Sequence, residues 1–305
     1  MNSPETPTPP LATSTTKPLP GPSGKEVPVD VFHIDDIPGA MDKMGWKVSA
    51  QLMRRWFSNA PAYIMPGEVR DGLDAKKDAI DYRLLPPSQI DDQSVTWEWL
   101  LKFPRIQQVL NELYQTWNSP AGVDLLKRRL TKAVWKKGGF VQLGHGLTKA
   151  VDLDLTCQVN YREFGHLTDT FDDLFGAIFK ATLKVAVIGT AYYDPERDLD
   201  IFEVKRMGFY IRDTYDFNAK WYDDEMMGLG VWSKDRVLSK AETADFRATF
   251  TVHGHILRYF LYKGFVPVKN SDFRRWQGKH NTGGDFYVFS DVYWVVPNVK
   301  EILLP

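Results

Sequence analysis

The sequence predicts an α+β fold, with a helical N-terminal third packed on a mainly antiparallel C-terminal sheet. Three observations predict it. Residues 1–28 hold eight of the 19 prolines, mixed with Ser and Thr. Apolar residues then recur at helical spacing up to about residue 139. Beyond that point they alternate as in strands, with turn residues between the runs. The expected organisation is therefore a disordered Pro/Ser/Thr-rich tail at 1–28, a helical region at 29–139 and a β-rich domain at 140–305.

The elements follow in order. In 45–58, Val48, Leu52 and Trp56 fall four apart, with Arg54 and Arg55 on the other side, which predicts a short amphipathic helix. Residues 62–95 are rich in turn signals: Pro66-Gly67, Asp71-Gly72 and Pro86-Pro87. Pro104 suits a first helical position, and Ile106, Val109, Leu110, Leu113, Tyr114 and Trp117 trace one helical face after it. Ser119-Pro120 breaks that helix. A second is expected from about Gly122 to Lys137, with Leu126, Leu130 and Val134 inward and Gly138-Gly139 as its stop. Residues 140–143 and 151–155 alternate as strands do. So do Phe179, Ala181, Leu183, Val185 and Val187, set against Lys180, Thr182 and Lys184. Asp194-Pro195 marks a turn before a strand at 201–212, whose phase shift near Met207-Gly208 suggests a bulge. Further strands are expected at 247–254, 263–268 and 285–296.

Composition narrows the function. A net charge of −1 and an isoelectric point near 6.6 give no strong nucleic-acid signal. The lone Cys157 allows neither an intrachain disulfide nor a cysteine-based zinc knuckle. No transmembrane run and no secretory signal peptide is legible, so the expected site of synthesis and residence is the cytoplasm, unless a dedicated apparatus exports the protein.

Two polar clusters can carry chemistry. The first is Arg212, Asp213, Tyr215, Asp216 and Asn218, with Arg236 downstream. A turn beginning at Asp213 would aim both carboxylates at one point, where they bind a hard cation or act as an acid/base pair. The alternative is an ordinary turn with Asx hydrogen bonds. The second cluster runs from Ser271 to Asp291 and holds Arg274, Arg275, His280, Ser290 and Asp291. The arginines can clamp phosphate and His280 can shuttle a proton. The alternative is a hairpin with a solvated basic arm. His253-Gly254-His255 lacks a third zinc ligand nearby in sequence, and neither a phosphate loop nor a nucleophile elbow is present.

Three passages carry a resemblance: Gly45-Trp46-Lys47-Val48-Ser49-Ala50 with Trp56-Phe57; Tyr210 to Asn218 with Leu229-Gly230-Val231-Trp232; and Phe273 to Asp291. The chain resembles a proteobacterial family of unknown function whose members tend to be encoded near type VI secretion components. More remotely, Asp213-Thr214-Tyr215-Asp216 resembles the Asp-x-Tyr-Asp segment of colicin M-type bacteriocins. Those toxins cleave the lipid-linked peptidoglycan precursor in the periplasm and depend on a divalent cation. Their motif continues to a His-Arg pair, whereas Tyr222 and Asp223 occupy that spacing here. Arg236, or Arg274 and His280, would have to supply the missing groups.

The resulting expectation is a type VI secretion-associated antibacterial effector, a cation-assisted hydrolase of a phosphate-containing envelope substrate. Asp213 and Asp216 would bind Mg or Ca or activate water, with Tyr215 matching the toxin tyrosine. Arg212, Arg236, Arg274 and Arg275 would hold substrate, His280 would protonate the leaving group, and Ser290 and Asp291 would orient the second cluster. Implied partners are a spike or chaperone protein of the apparatus and an immunity protein. The alternatives are a non-enzymatic adaptor or structural cargo, and a nuclease.

Overall fold

The computed structural model describes residues 31–70, 80–218, 228–252 and 261–304. Its N-terminal layer is helical. α1 (Ile37–Lys43) turns into α2 (Lys47–Ser58) through Gly45, whose φ of 81° suits glycine. α2 buries Leu52, Met53 and Trp56 and leaves Arg54 exposed, as its period requires. A short α3 (Gly67–Arg70), strand β1 (Ile90–Asp91) and α4 (Trp97–Leu100) lead to the longer α5 (Pro104–Thr116) and α6 (Pro120–Lys132). Pro104 and Pro120 open their helices, and the Ser119 hydroxyl accepts from the Gly122 amide at 3.4 Å. α6 starts before residue 122 and stops at Lys132, short of the expected Lys137. Val134 leaves the helix with φ 66° and is 78% exposed, so it is no core residue despite its spacing.

The sheet follows: β2 (Val141–Leu143), α7 (Ala150–Thr156), β3 (Gln158–Phe164), α8 (Asp173–Ile178), β4 (Ala181–Asp194) and β5 (Leu199–Tyr215). After β6 (Val231–Trp232) come α9 (Lys240–Val252), β7 (Val266–Pro267), α10 (Asn270–His280), β8 (Phe286–Phe289), β9 (Tyr293–Val295) and β10 (Glu301–Leu303). β4 and β5 form a long antiparallel pair from Thr182↔Arg212 to Asp194↔Leu199, closed by the turn after Asp194. The sheet order is β1-β8-β5-β4-β2, with β3 against β4 and β9 and β10 against β5. Only the β1–β8 pair is parallel among the described residues. Helices on a mainly antiparallel sheet make this an α+β fold.

Four local expectations are corrected. Residues 151–155 are helical, in α7, and not a strand. Ala150, Val151, Leu153 and Asp154 are its buried positions, a helical set that five alternating residues cannot distinguish from a strand. Residues 247–252 continue α9 instead of forming a strand; 253 and 254, like His253-Gly254-His255, lie outside the described residues. A capping box nucleates α9: the Ser239 amide donates to the Glu242 carboxylate at 2.7 Å and the Glu242 amide to the Ser239 hydroxyl at 3.3 Å. Residues 270–280 are a helix and not a hairpin arm; Asp272 accepts the Lys269 amide at 2.8 Å at its start. The bulge falls at Lys205, since Ile188 pairs with Arg206 and Gly189 with Val204. Gly208 serves packing instead: a Cβ there would lie 3.0 Å from the Trp294 ring.

One core spans helices and sheet, with Trp56, Trp117, Phe202, Phe209, Phe273, Phe286 and Phe289 fully buried. No helix among the described residues is long and apolar enough to cross a membrane. Gly189 marks the tightest approach in the long pair, because a Cβ would meet the Glu203 carbonyl at 2.0 Å. Gly189→Ala should therefore lower stability by about 1–3 kcal/mol. Gly39→Ala, which meets nothing within 4 Å at an exposed position of α1, should raise it by about 0.5 kcal/mol. Urea unfolding midpoints of the two variants check both signs.

Candidate functional site

β5 remains a strand through Tyr215, so Asp213 lies inside the ladder, paired with Val288, and does not begin a turn. The cause is β8. Its residues 286–289 pair with Tyr215 to Arg212, taking up the backbone groups that a turn would have used. Pleating then sends Ile211, Asp213 and Tyr215 to one face and Tyr210, Arg212 and Thr214 to the other.

The loop after β5 is where the two sequence clusters meet. Arg274 of α10 donates from Nε to the Phe217 carbonyl at 2.8 Å and from Nη2 to Asp285 Oδ2 at 2.7 Å. Asp285, 1% exposed, also accepts from the Trp56 indole and the Met65 amide, both at 2.9 Å. Phe217 stacks flat on Phe273 with centroids 3.6 Å apart, and Trp56 meets both rings edge-on. Asp216 sits between these groups. Its carboxylate lies 3.8 Å from Arg70 Nη1 and accepts from the Thr214 hydroxyl at 3.3 Å.

These surroundings shift both acids. Burial, with the charge of Asp285, raises the Asp216 carboxyl to about 6, against the opposing pull of Arg70 and Arg274. Burial raises Asp213 to about 8, and the Asp216 charge adds to it. Part of the Asp213 residue surface stays exposed. Tyr215 is buried against Phe286, their stacked rings 5.2 Å apart, and its hydroxyl is pushed far above the ordinary value by that burial.

The remaining sequence candidates occupy other settings. Arg275 is exposed and pairs with Asp272 one helical turn away. His280 is exposed, with Nδ1 2.8 Å from the Trp276 carbonyl and its ring stacked on Trp276. Arg236 forms a two-pronged ion pair with Glu242 at 2.7 and 2.9 Å and covers Phe265. Ser290 is buried, accepting the Ile211 amide at 2.8 Å and donating to the Asp291 carbonyl at 2.7 Å. The Asp291 side chain accepts the Trp97 amide at 2.7 Å, at the first residue of α4. Arg274 and Asp216 thus share a neighbourhood. Arg236, Arg275, His280, Ser290 and Asp291 are engaged by partners of their own.

The other face of β5 holds a group that the sequence did not single out. Lys184 lies opposite Tyr210, and both donate to Asp154 Oδ1, at 2.7 and 2.8 Å. Burial lowers the Lys184 ammonium, against the pull of Asp154, and raises the Tyr210 hydroxyl well above its usual value. Arg212 packs against the rings of Tyr82 and Tyr287, 5.3 and 5.2 Å from their centroids, and the two rings meet edge-on. Arg70 was also missed, since it sits in a turn-rich stretch. Lys184 was visible only as a polar member of an alternating strand. The one available signal was its register against Tyr210.

A buried acid with a raised value favours folding at low pH. Below the ordinary value of 3.8, Asp213 is protonated in both states. Between there and about 8 only the folded state keeps the proton, so stability falls as pH rises, by about 1.4 kcal/mol per pH unit. Asp213→Asn removes this slope. Urea titrations at several pH values should find the variant at least as stable as the parent near pH 8, with the difference closing toward pH 4.

No curated protein and no solved structure matches the chain. A family model described as a family of unknown function, DUF6402, matches residues 32–303. The chain, with the Asp216 neighbourhood and the Arg212 face inside that span, therefore belongs to the DUF6402 family.

Proposed function

We propose that this protein hydrolyses a phosphate-containing substrate at the end of β5, with Asp216 as the proton acceptor. The observation that carries the reading is a carboxyl held at about 6 while Arg70 stands 3.8 Å away. A base with a value just below neutral is largely ionised at working pH and still accepts a proton in the transition state. Arg70 is suited to bind phosphate oxygens. Asp216 takes a proton from water as the water oxygen attacks phosphorus. The bond to the departing oxygen breaks, and the same carboxyl returns the proton to that oxygen. Arg274 is a positioning residue, because it fixes the Phe217 carbonyl and Asp285 on either side. Asp213, protonated up to about 8, adds no second negative charge beside an anionic substrate at neutral pH.

A divalent cation, Mg or Ca, would be held by Asp216 with the Thr214 hydroxyl, oxygen ligands suited to a hard ion. Asp213 leaves the strand on the face opposite Thr214. When bound, such an ion supplies Lewis-acid polarisation of phosphate oxygens. The likeness of Asp213-Thr214-Tyr215-Asp216 to colicin M-type toxins supports the lipid-linked peptidoglycan precursor as the substrate class. The likeness to a type VI-associated family supports delivery as an antibacterial effector, with a spike or chaperone partner and an immunity protein.

The test routes the chain to the cytoplasm or the periplasm of a test bacterium. Growth arrest confined to the periplasm is expected. Asp216→Asn should abolish it, by at least a hundredfold in viable count, with a thermal unfolding midpoint no lower than the parent's. Cleavage of the precursor by the purified protein, read from the separated lipid and sugar fragments, should rise about tenfold per pH unit below 6 and level off above. A well-folded Asp216→Asn protein of full toxicity overturns the proposal. Arrest confined to the cytoplasm favours a nuclease, and no effect in either compartment favours a non-enzymatic adaptor.

A further inference from the structure

On the face of β5 opposite Asp213, a buried guanidinium N–H lacks an acceptor among the described residues. Arg212 packs against the touching rings of Tyr82 and Tyr287, whose centroids are 4.9 Å apart and lie 5.3 and 5.2 Å from its Cζ. An arginine has five N–H donors. Here Nη2 reaches the Arg70 carbonyl at a long 3.4 Å, and Nε is buried with no hydrogen-bond partner. A buried charged donor left without an acceptor is costly, and folded proteins rarely keep one without a use for it.

The neighbouring acids do not reach that N–H. Asp154 Oδ1 accepts both Lys184 and Tyr210, and Glu163, in register with Thr182 beside Arg212, is exposed and 3.7 Å from Lys180. Arg129, a third cation close to Asp154, donates to the Asp154, Leu155 and Gln158 carbonyls, where α7 ends. Its charge therefore meets the negative end of that helix. Asp213 projects to the other side of the strand. Asp154 and the Tyr287 hydroxyl both favour the charged Arg212 guanidinium, yet its buried Nε–H has no acceptor among the described residues. An oxyanion with several acceptor oxygens would satisfy that Nε–H.

We propose that Arg212, packed against the rings of Tyr82 and Tyr287 and on the same sheet face as the Lys184–Asp154 pair, is the centre of a binding site for a phosphate-type oxyanion. This site stands independently of hydrolysis at Asp216. Lys184 provides a second cation on the same face, with Asp154 and Tyr210 orienting its ammonium.

The experiment measures thermal unfolding of the full chain against inorganic phosphate, with chloride holding ionic strength constant. Phosphate should raise the midpoint by a few degrees once it exceeds its dissociation constant about tenfold. Arg212→Met, which keeps an unbranched chain against the two rings, should lose the shift. Arg206→Met is the matched control; Arg206 lies on β5 over Trp294, 3.9 Å from the ring centroid, and its loss should leave the shift intact. Asp216→Asn should also keep it, which separates this site from the proposed reaction. Should Arg212→Met fail to fold, phenylglyoxal labelling of the unaltered protein replaces it, with phosphate expected to slow modification of Arg212 at least fivefold. Vesicles with and without phosphatidic acid identify the source. Binding that requires phosphatidic acid and Arg212 assigns a lipid headgroup, and a phosphate shift without vesicle binding assigns a soluble phosphate. No phosphate-dependent shift, an equal shift in Arg212→Met, or unprotected Arg212 overturns the proposal.

Discussion

A carboxylate as enclosed as that of Asp285 can stay in a protein interior only if donors replace its lost water. The three donors come from distant parts of the chain: the Trp56 indole of α2, the Met65 amide and the Arg274 guanidinium of α10. Asp285 itself stands just before β8, so satisfying one charge fixes α2 and α10 against the edge of the sheet. The Phe217–Phe273 stack and the Trp56 ring then close around the contact. The position of Asp216 follows, because Arg274 that answers Asp285 also grips the Phe217 carbonyl one residue on. The chemistry assigned to Asp216 is thus downstream of a structural ion pair.

The same contact explains the shifted acids. Arg274 spends its charge on Asp285, so Asp216 feels a negative neighbour as well as a positive one. Arg70 stands at 3.8 Å, too far for a close ion pair, and burial prevails. Asp213, paired into the ladder, is raised further by burial, with the Asp216 charge adding to it and Arg212 opposing.

Much of this was legible in the sequence where period and caps agreed. α2 and α5 follow from Leu52, Trp56, Ile106 and Leu113, and β4 from alternating Leu183, Val185 and Val187. Misreadings arose where a short run satisfied two periods, as in Val151 to Leu155. They also arose where a local cap outweighed β-branched residues, as Ser239 and Glu242 do for α9. The end of β5 was read as a turn because Asp and Asn favour turns, and strand pairing with β8, some seventy residues distant, is a contact that no local pattern reports. The proximity of Arg274 to Asp216 was expected, although its route through Asp285 and Phe217 was not. Asp154 and Lys184 stayed hidden because a buried ion pair across an element boundary has no spacing rule.

The parallel pairing of β1 with β8 joins Ile90 to Tyr287 and Asp91 to Val288. The first of these segments therefore waits for one about two hundred residues downstream before its ladder can close. Such remote pairing slows folding, since the intervening loop must first be ordered. During synthesis the apolar side chains of the helical layer, Trp56 among them, lack their final cover until α10 and β8 have been made. A nascent chain of this design depends on protection against aggregation over that whole interval.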